Sequence, residues 1–168
     1  MATFEKIATV DVGAGGTASI DFTSIAASWT DLCIKFSLRS NHASVADFVK
    51  IRFNGSSTSY SLRALYGVDS TAASQSFTEL LGAIDGNTAT SSTFGNGEYY
   101  IPNYAGSTNK SLSVDSIGES NAANGSYAWF GAGLWSNSAA ITSIALTPFN
   151  GTSFNQYSTA TLYGIKKA

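Results

Sequence analysis

The sequence predicts an all-β fold, a β-sandwich of jelly-roll type, and three observations carry that expectation. Apolar and polar residues alternate with period two along most of the chain. Turn-forming dipeptides interrupt the alternation, with Asn-Gly at 54–55, 96–97, 124–125 and 150–151 and Asp-Gly at 85–86. The alternating segments are short and recur about every 8–15 residues, the spacing of a sandwich or barrel.

Taken in order, the first strand-like segments are Phe4–Val12 and Thr17–Phe22. Between them, Gly13-Ala-Gly-Gly16 reads as a hairpin turn, because a phosphate-cradling loop must open a helix and the residues that follow alternate like a strand. The clearest strand places Leu32, Ile34, Phe36 and Leu38 on one face and Cys33, Lys35, Ser37 and Arg39 on the other. Val49, Ile51 and Phe53 repeat the pattern against Lys50 and Arg52. Tyr60–Tyr66, Phe77–Ile84, Glu98–Tyr104, Ser111–Ile117, Tyr127–Trp135, Ile141–Leu146 and Thr159–Ile165 complete a set of about eleven. Pro102 and Pro148 fall near strand ends. Ser24–Trp29 and Gln75–Leu81 could each form a helical turn, neither long enough to pack as a helix. Ala83–Gly97 reads as the longest loop. Residues 1–168 form a single domain, with no linker or shift in composition.

Composition narrows the function. Of 168 residues, 43% are hydrophobic but only 12% are charged, about half the usual share. Ser and Thr supply the polarity, at about a quarter of the chain. The net charge is −2 and the basic residues are scattered, so no footprint for nucleic acid is expected. Lys166 and Lys167 read as a solvated terminus. The first residues do not resemble a signal peptide and no apolar run approaches ~18 residues, so a soluble protein made in the cytoplasm, without a membrane partner, is expected. A single cysteine, Cys33, excludes an internal disulfide.

No constellation reads as catalytic, metal-binding or cofactor-binding, and a non-enzymatic protein is expected. Asp115 and Glu119 are the nearest acidic pair in sequence suited to glycoside chemistry, yet an extended chain holds them apart. His42 is the only histidine, and its neighbours Ser44 and Asp47 do not make a triad by adjacency. Cys33 shares a face with Lys35 and Arg39, which could lower its pKa, but no base or resolving thiol accompanies it.

The aromatics hold the functional promise. Tyr99, Tyr100 and Tyr104 crowd one segment, and Tyr127, Trp129, Phe130 and Trp135 another. Both faces of the second segment are apolar, which predicts a strand buried on both sides. Core or subunit interface is the first expectation. A glycan-stacking or partner-facing platform of Tyr99, Tyr100, Tyr104 and Trp135 is the second.

Several fragments then carry a resemblance. Ala18-Ser-Ile-Asp-Phe-Thr-Ser-Ile25 with Trp29-Thr-Asp-Leu32, Phe53-Asn-Gly55, Leu65-Tyr-Gly67, Glu98-Tyr-Tyr-Ile-Pro-Asn-Tyr104, Ala139-Ala-Ile-Thr-Ser-Ile144 and Tyr157-Ser-Thr-Ala-Thr-Leu-Tyr-Gly-Ile165 occur in that order across nearly the whole chain. Together they resemble small β-rich virion proteins of tailed phages, including cyanophages. The resemblance implies a structural or adhesive component on the outer surface of a virion assembled in the host cytoplasm, and it brings no catalytic residue. A capsid decoration or cement protein, seated on the major capsid protein or another virion protein as a homotrimer, is the leading expectation, because no shaft or heptad segment appears. The alternative is a head- or tail-fibre domain that binds host-surface glycan. Oligomer or lattice contacts are expected around Phe4 and Ile7 in the first strand and Tyr163 and Ile165 in the last.

Overall fold

The computed structural model describes residues 3–119, 121 and 124–166. Among them lie twelve strands and no helix: β1 (Thr3–Asp11), β2 (Ile20–Phe22), β3 (Asp31–Leu38), β4 (Ala46–Phe53), β5 (Tyr60–Val68), β6 (Thr71–Phe77), β7 (Leu80–Asp85), β8 (Gly95–Pro102), β9 (Lys110–Gly118), β10 (Tyr127–Trp135), β11 (Ile144–Pro148) and β12 (Thr159–Lys166). They form an eight-stranded sheet, β1-β12-β3-β8-β9-β10-β5-β6, facing a four-stranded sheet, β2-β11-β4-β7. All ladders between named strands are antiparallel, and the fold is a β-sandwich as the alternation predicts. Lys167 lies outside the described residues, while the Lys166 ammonium sits 4.6 Å from the centre of the Trp29 ring.

The inward half of each alternation builds one core. Leu32, Ile34, Phe36 and Leu38 of β3, Leu112 and Val114 of β9, and Trp129 and Trp135 of β10 meet Val49, Ile51 and Phe53 of β4 and Ile144 and Leu146 of β11. Aromatic rings join the layers. Phe53 packs on Trp135 at 5.5 Å between centroids, and Phe48 on Trp129 at 5.0 Å, distances that suit offset and edge contacts.

The smaller sheet cannot cover the larger evenly, and β7 shows how its margin is closed. Every residue of β7 is buried although the strand lies at a sheet edge. The Ala83 N–H, which would otherwise be an orphan edge donor, bonds the Ser116 hydroxyl of β9 at 2.7 Å. The Tyr99 hydroxyl of β8 crosses the core and donates to the Val49 carbonyl of β4 at 2.9 Å. The close approach requires a small residue at Gly82, where a Cβ would already sit 3.1 Å from Val114 Cγ2 and from the Tyr99 oxygen.

Several local expectations are corrected. β6 occupies residues assigned to no predicted strand and part of a predicted helical turn, because Thr71-Ala-Ala-Ser-Gln-Ser-Phe77 has no apolar alternation of its own and is recruited by pairing with β5. Its turn also lacks a glycine. Asp69 adopts φ 51° instead, with its carboxylate accepting from the Gly125 N–H at 2.7 Å. Ser24–Trp29 contains no helix. Asn96-Gly97 lies inside β8, and residues 13–16 carry the chain from one sheet to the other instead of closing a hairpin. The long loop contracts to residues 86–94.

Ser116→Ala should leave the Ala83 N–H unpaired in the core. We expect a loss of about 1–3 kcal/mol, read as a lower urea midpoint at unchanged m-value.

Candidate functional site

The outer face of the eight-stranded sheet is where side chains stand free of the core. On β10 the inward residues Trp129, Gly131, Gly133 and Trp135 are buried, while Ala128, Phe130 and Ala132 are exposed. The expectation that β10 is buried on both sides is therefore corrected, since the smaller sheet packs on one face only. Register assembles the exposed residues into a patch. Phe130 lies opposite Leu65 of β5, and Ala128 opposite Ile117 of β9. Phe130 is 59% exposed, Leu65 61% and Ile117 45%, so three large apolar side chains face outward side by side.

The patch has relief. Phe130 stands between two shallow grooves, one of about 370 Å³ reaching Leu65, Ala72, Ile117 and Ala128, the other of about 250 Å³ reaching Tyr100, Pro102 and Ala132. Both are lined mainly by carbon, with Asp115 at the rim of the first and serines at the rim of the second. β6 borders this region as a free edge pairing only with β5, and it carries no charge and no proline. The other free edge of the sheet, β1, carries Glu5, Lys6 and Asp11 and a bulge at Ile7. Charges and bulges discourage strand addition, so the unprotected edge is β6.

Three of the four aromatics expected to face a partner do not. Tyr99, Tyr104 and Trp135 are each at most 1% exposed, because their side chains point between the sheets. Tyr99 is fixed by its bond to Val49, Tyr104 donates to the Ala26 carbonyl, and Trp135 stacks on Tyr60 at 6.1 Å. Tyr100 faces outward, half-buried, and its hydroxyl donates to Asp31 Oδ2 at 2.7 Å. That bond to a carboxylate, ahead of burial, pushes the Tyr100 pKa up to about 12.

The terminal strands pair with each other, β1 against β12. Phe4 is exposed, with its ring 6.2 Å from that of Tyr163, whereas Ile165 is buried and Ile7 is half-buried at the bulge. The structure thus joins these four residues into one edge, with Phe4 its most exposed apolar side chain.

The candidate chemistry disperses. Asp115 and Glu119 lie on β9 and just past its end, four extended residues or roughly 13 Å apart. The acid that register does place opposite Asp115 is Glu98 of β8, on an open sheet face and already paired with Lys35 at 2.6 Å. Sequence spacing could not find that pair, since it depends on strand order. Asp47 is buried and accepts from the Ser40 hydroxyl and from backbone N–H groups of Phe48, Asn150 and Gly151, a bracing role for the loop after β11. No group of three metal-ligating side chains occurs among the described residues. Cys33 is buried between Tyr163 and Tyr100 of the flanking strands, and burial raises its thiol to about 11, against the lowering expected from Lys35 and Arg39.

Comparison with protein-family models, curated proteins and solved structures finds no match. The arrangement must speak through its own chemistry. What it offers is an apolar contact face beside an unprotected strand edge, on a scaffold locked by aromatic packing.

Two solution measurements check this geometry. A thiol held at about 11 in place of the ordinary 9.0 carries roughly a hundredfold less thiolate at pH 8, so disulfide reagents should modify Cys33 far more slowly in native than in unfolded protein. The folded Tyr100 pKa lies above its unfolded value of 10.0, so its contribution is complete below pH 10 and lost as pH rises through about 12. Urea midpoints at pH 9 and pH 11 should fall less between the two for Tyr100→Phe than for the wild type.

Proposed function

We propose that this chain is a structural, non-enzymatic protein of a tailed-phage virion, decorating and stabilising the capsid as a homo-oligomer, with a trimer the symmetry that suits a three-fold lattice site. The observation that carries the reading is the outward patch of Leu65, Ile117 and Phe130 beside the free β6 edge. Exposed apolar surface of this kind, on a chain with only 12% charged residues, marks an interaction site. These features favour a contact surface on the β5–β6–β10 side over the bulged and charged β1 edge.

The strand order supports the same reading. Setting aside the hairpins β5–β6 and β9–β10, the sheets run β1-β12-β3-β8 and β2-β11-β4-β7. Successive pairs β1–β2, β3–β4, β7–β8 and β11–β12 then each cross between sheets, which we read as a jelly roll with two inserted hairpins. Jelly rolls recur in viral shell proteins, although a fold alone does not assign a function. The alternative, a fibre domain gripping host glycan through Tyr99, Tyr100, Tyr104 and Trp135, loses support because three of those rings are buried and the Tyr100 hydroxyl is already bound to Asp31.

Light scattering should find wild-type protein as an oligomer that co-sediments with purified capsid shells. Leu65→Glu combined with Phe130→Glu should give a folded monomer that no longer co-sediments. A wild-type monomer with no affinity for shells would overturn the reading.

A further inference from the structure

One end of the sandwich holds an open groove of about 560 Å³, formed where the β7–β8 loop meets the loop before β12. Arg39 lies at its base, 7% exposed. The guanidinium donates to the carbonyls of Thr90 (2.7 Å), Thr93 (3.0 Å), Asn87 (3.0 Å) and Ala89 (2.8 Å), so both Nη groups are already engaged by the loop they organise. No other charged side chain lines the groove. An anionic ligand would find no free cation there, and a cationic one no carboxylate.

What lines the walls is amide, hydroxyl and aromatic ring. Asn87 and Asn155 bridge the two loops through Asn155 Nδ2 and Asn87 Oδ1 at 3.2 Å, with Ser91, Ser92 and Gln156 beside them. Amides and hydroxyls both donate and accept, as sugar hydroxyls require. Phe94 and Tyr157 add flat apolar surface.

Tyr157 is held against its preference. It has φ 72°, a left-handed conformation that a bulky aromatic rarely adopts, yet the residue is 72% exposed. Its neighbours enforce the geometry. The Asn155 N–H donates to the Arg39 carbonyl at 2.8 Å, the Tyr157 N–H donates to the Val12 carbonyl at 2.9 Å, and the buried Ser158 hydroxyl accepts from the Arg39 N–H at 3.1 Å. A strained backbone clamped on both sides, presenting a ring that does not pack in the core, is a device for display.

We infer that this groove binds a neutral saccharide, with Tyr157 stacking on the sugar face and Asn87, Asn155 and Gln156 bonding its hydroxyls. A concave site with a few placed polar groups and an aromatic wall fits such a ligand. The site is separate from the Leu65–Phe130 patch, so its success or failure leaves the assembly reading to its own test.

The experiment is saturation-transfer NMR on the full chain with maltotriose, cellotriose, chitotriose and mannotriose at millimolar concentration. At least one should show transfer. Tyr157→Gly should weaken that binding about tenfold or more while the unfolding midpoint does not fall, since glycine relieves the positive φ. Tyr157→Phe should retain binding, and Phe130→Ala should leave it unchanged. Absence of transfer from all four sugars, or wild-type affinity in Tyr157→Gly, would overturn the inference.

Discussion

Two sheets of unequal width must share one core, and the contact of β7 with β8 and β9 is the joint on which the rest depends. A four-stranded sheet laid on eight strands leaves an edge whose backbone donors would be buried without partners. The protein solves this with three neighbouring features: Gly82 allows the close approach, Ser116 takes the Ala83 N–H, and Tyr99 ties the larger sheet to the Val49 carbonyl. Each contributes about as much as a single hydrogen bond or a few methylenes, but unmet buried polar groups would cost more than the bonds yield. Once the joint is closed, every residue of β7 is buried and the two Trp-centred clusters lie across the same interior.

The loops at one end inherit their rigidity from the same region. β7 leads directly into residues 86–94, and Arg39, at the end of β3, gathers that loop by its carbonyls. A nearly buried guanidinium is tolerable here because four backbone acceptors replace its water. Asp85 has one buried carboxylate oxygen without a hydrogen-bond partner, and burial raises its pKa while Thr93 and Arg39 act in the opposite sense. The groove is therefore framed by a loop whose conformation is fixed from below, the condition under which an exposed ring can be displayed at a strained φ.

The outer face of the large sheet follows a different logic. With one layer packed against it, the sheet buries alternate residues, and the opposite set faces water. On β3, β8 and β12 that set includes Lys35, Glu98 and Thr161. On β5, β9 and β10 it includes Leu65, Ile117 and Phe130. The difference falls within one sheet, between strands of the same core, and the β5–β9–β10 side is the surface we propose for a partner. Its proximity to β6, an uncharged free edge, gives such a partner both side-chain and backbone groups to meet.

The sequence by itself determined the all-β class and most strand positions, because period-two alternation and glycine-bearing turns are local properties. It also determined that Leu32, Ile34, Phe36 and Leu38 share a face. Only the tertiary structure decided which face of a doubly apolar strand is covered. Tyr99, Tyr104 and Trp135 could not be told from exposed rings in one dimension, since burial depends on which side the second sheet takes. β6 was illegible for a related reason, as its seven residues extend only because β5 is there to pair with them. The displayed ring of Tyr157 and the outward patch at Phe130 each join residues distant in sequence, brought together by register and loop packing that no local pattern encodes.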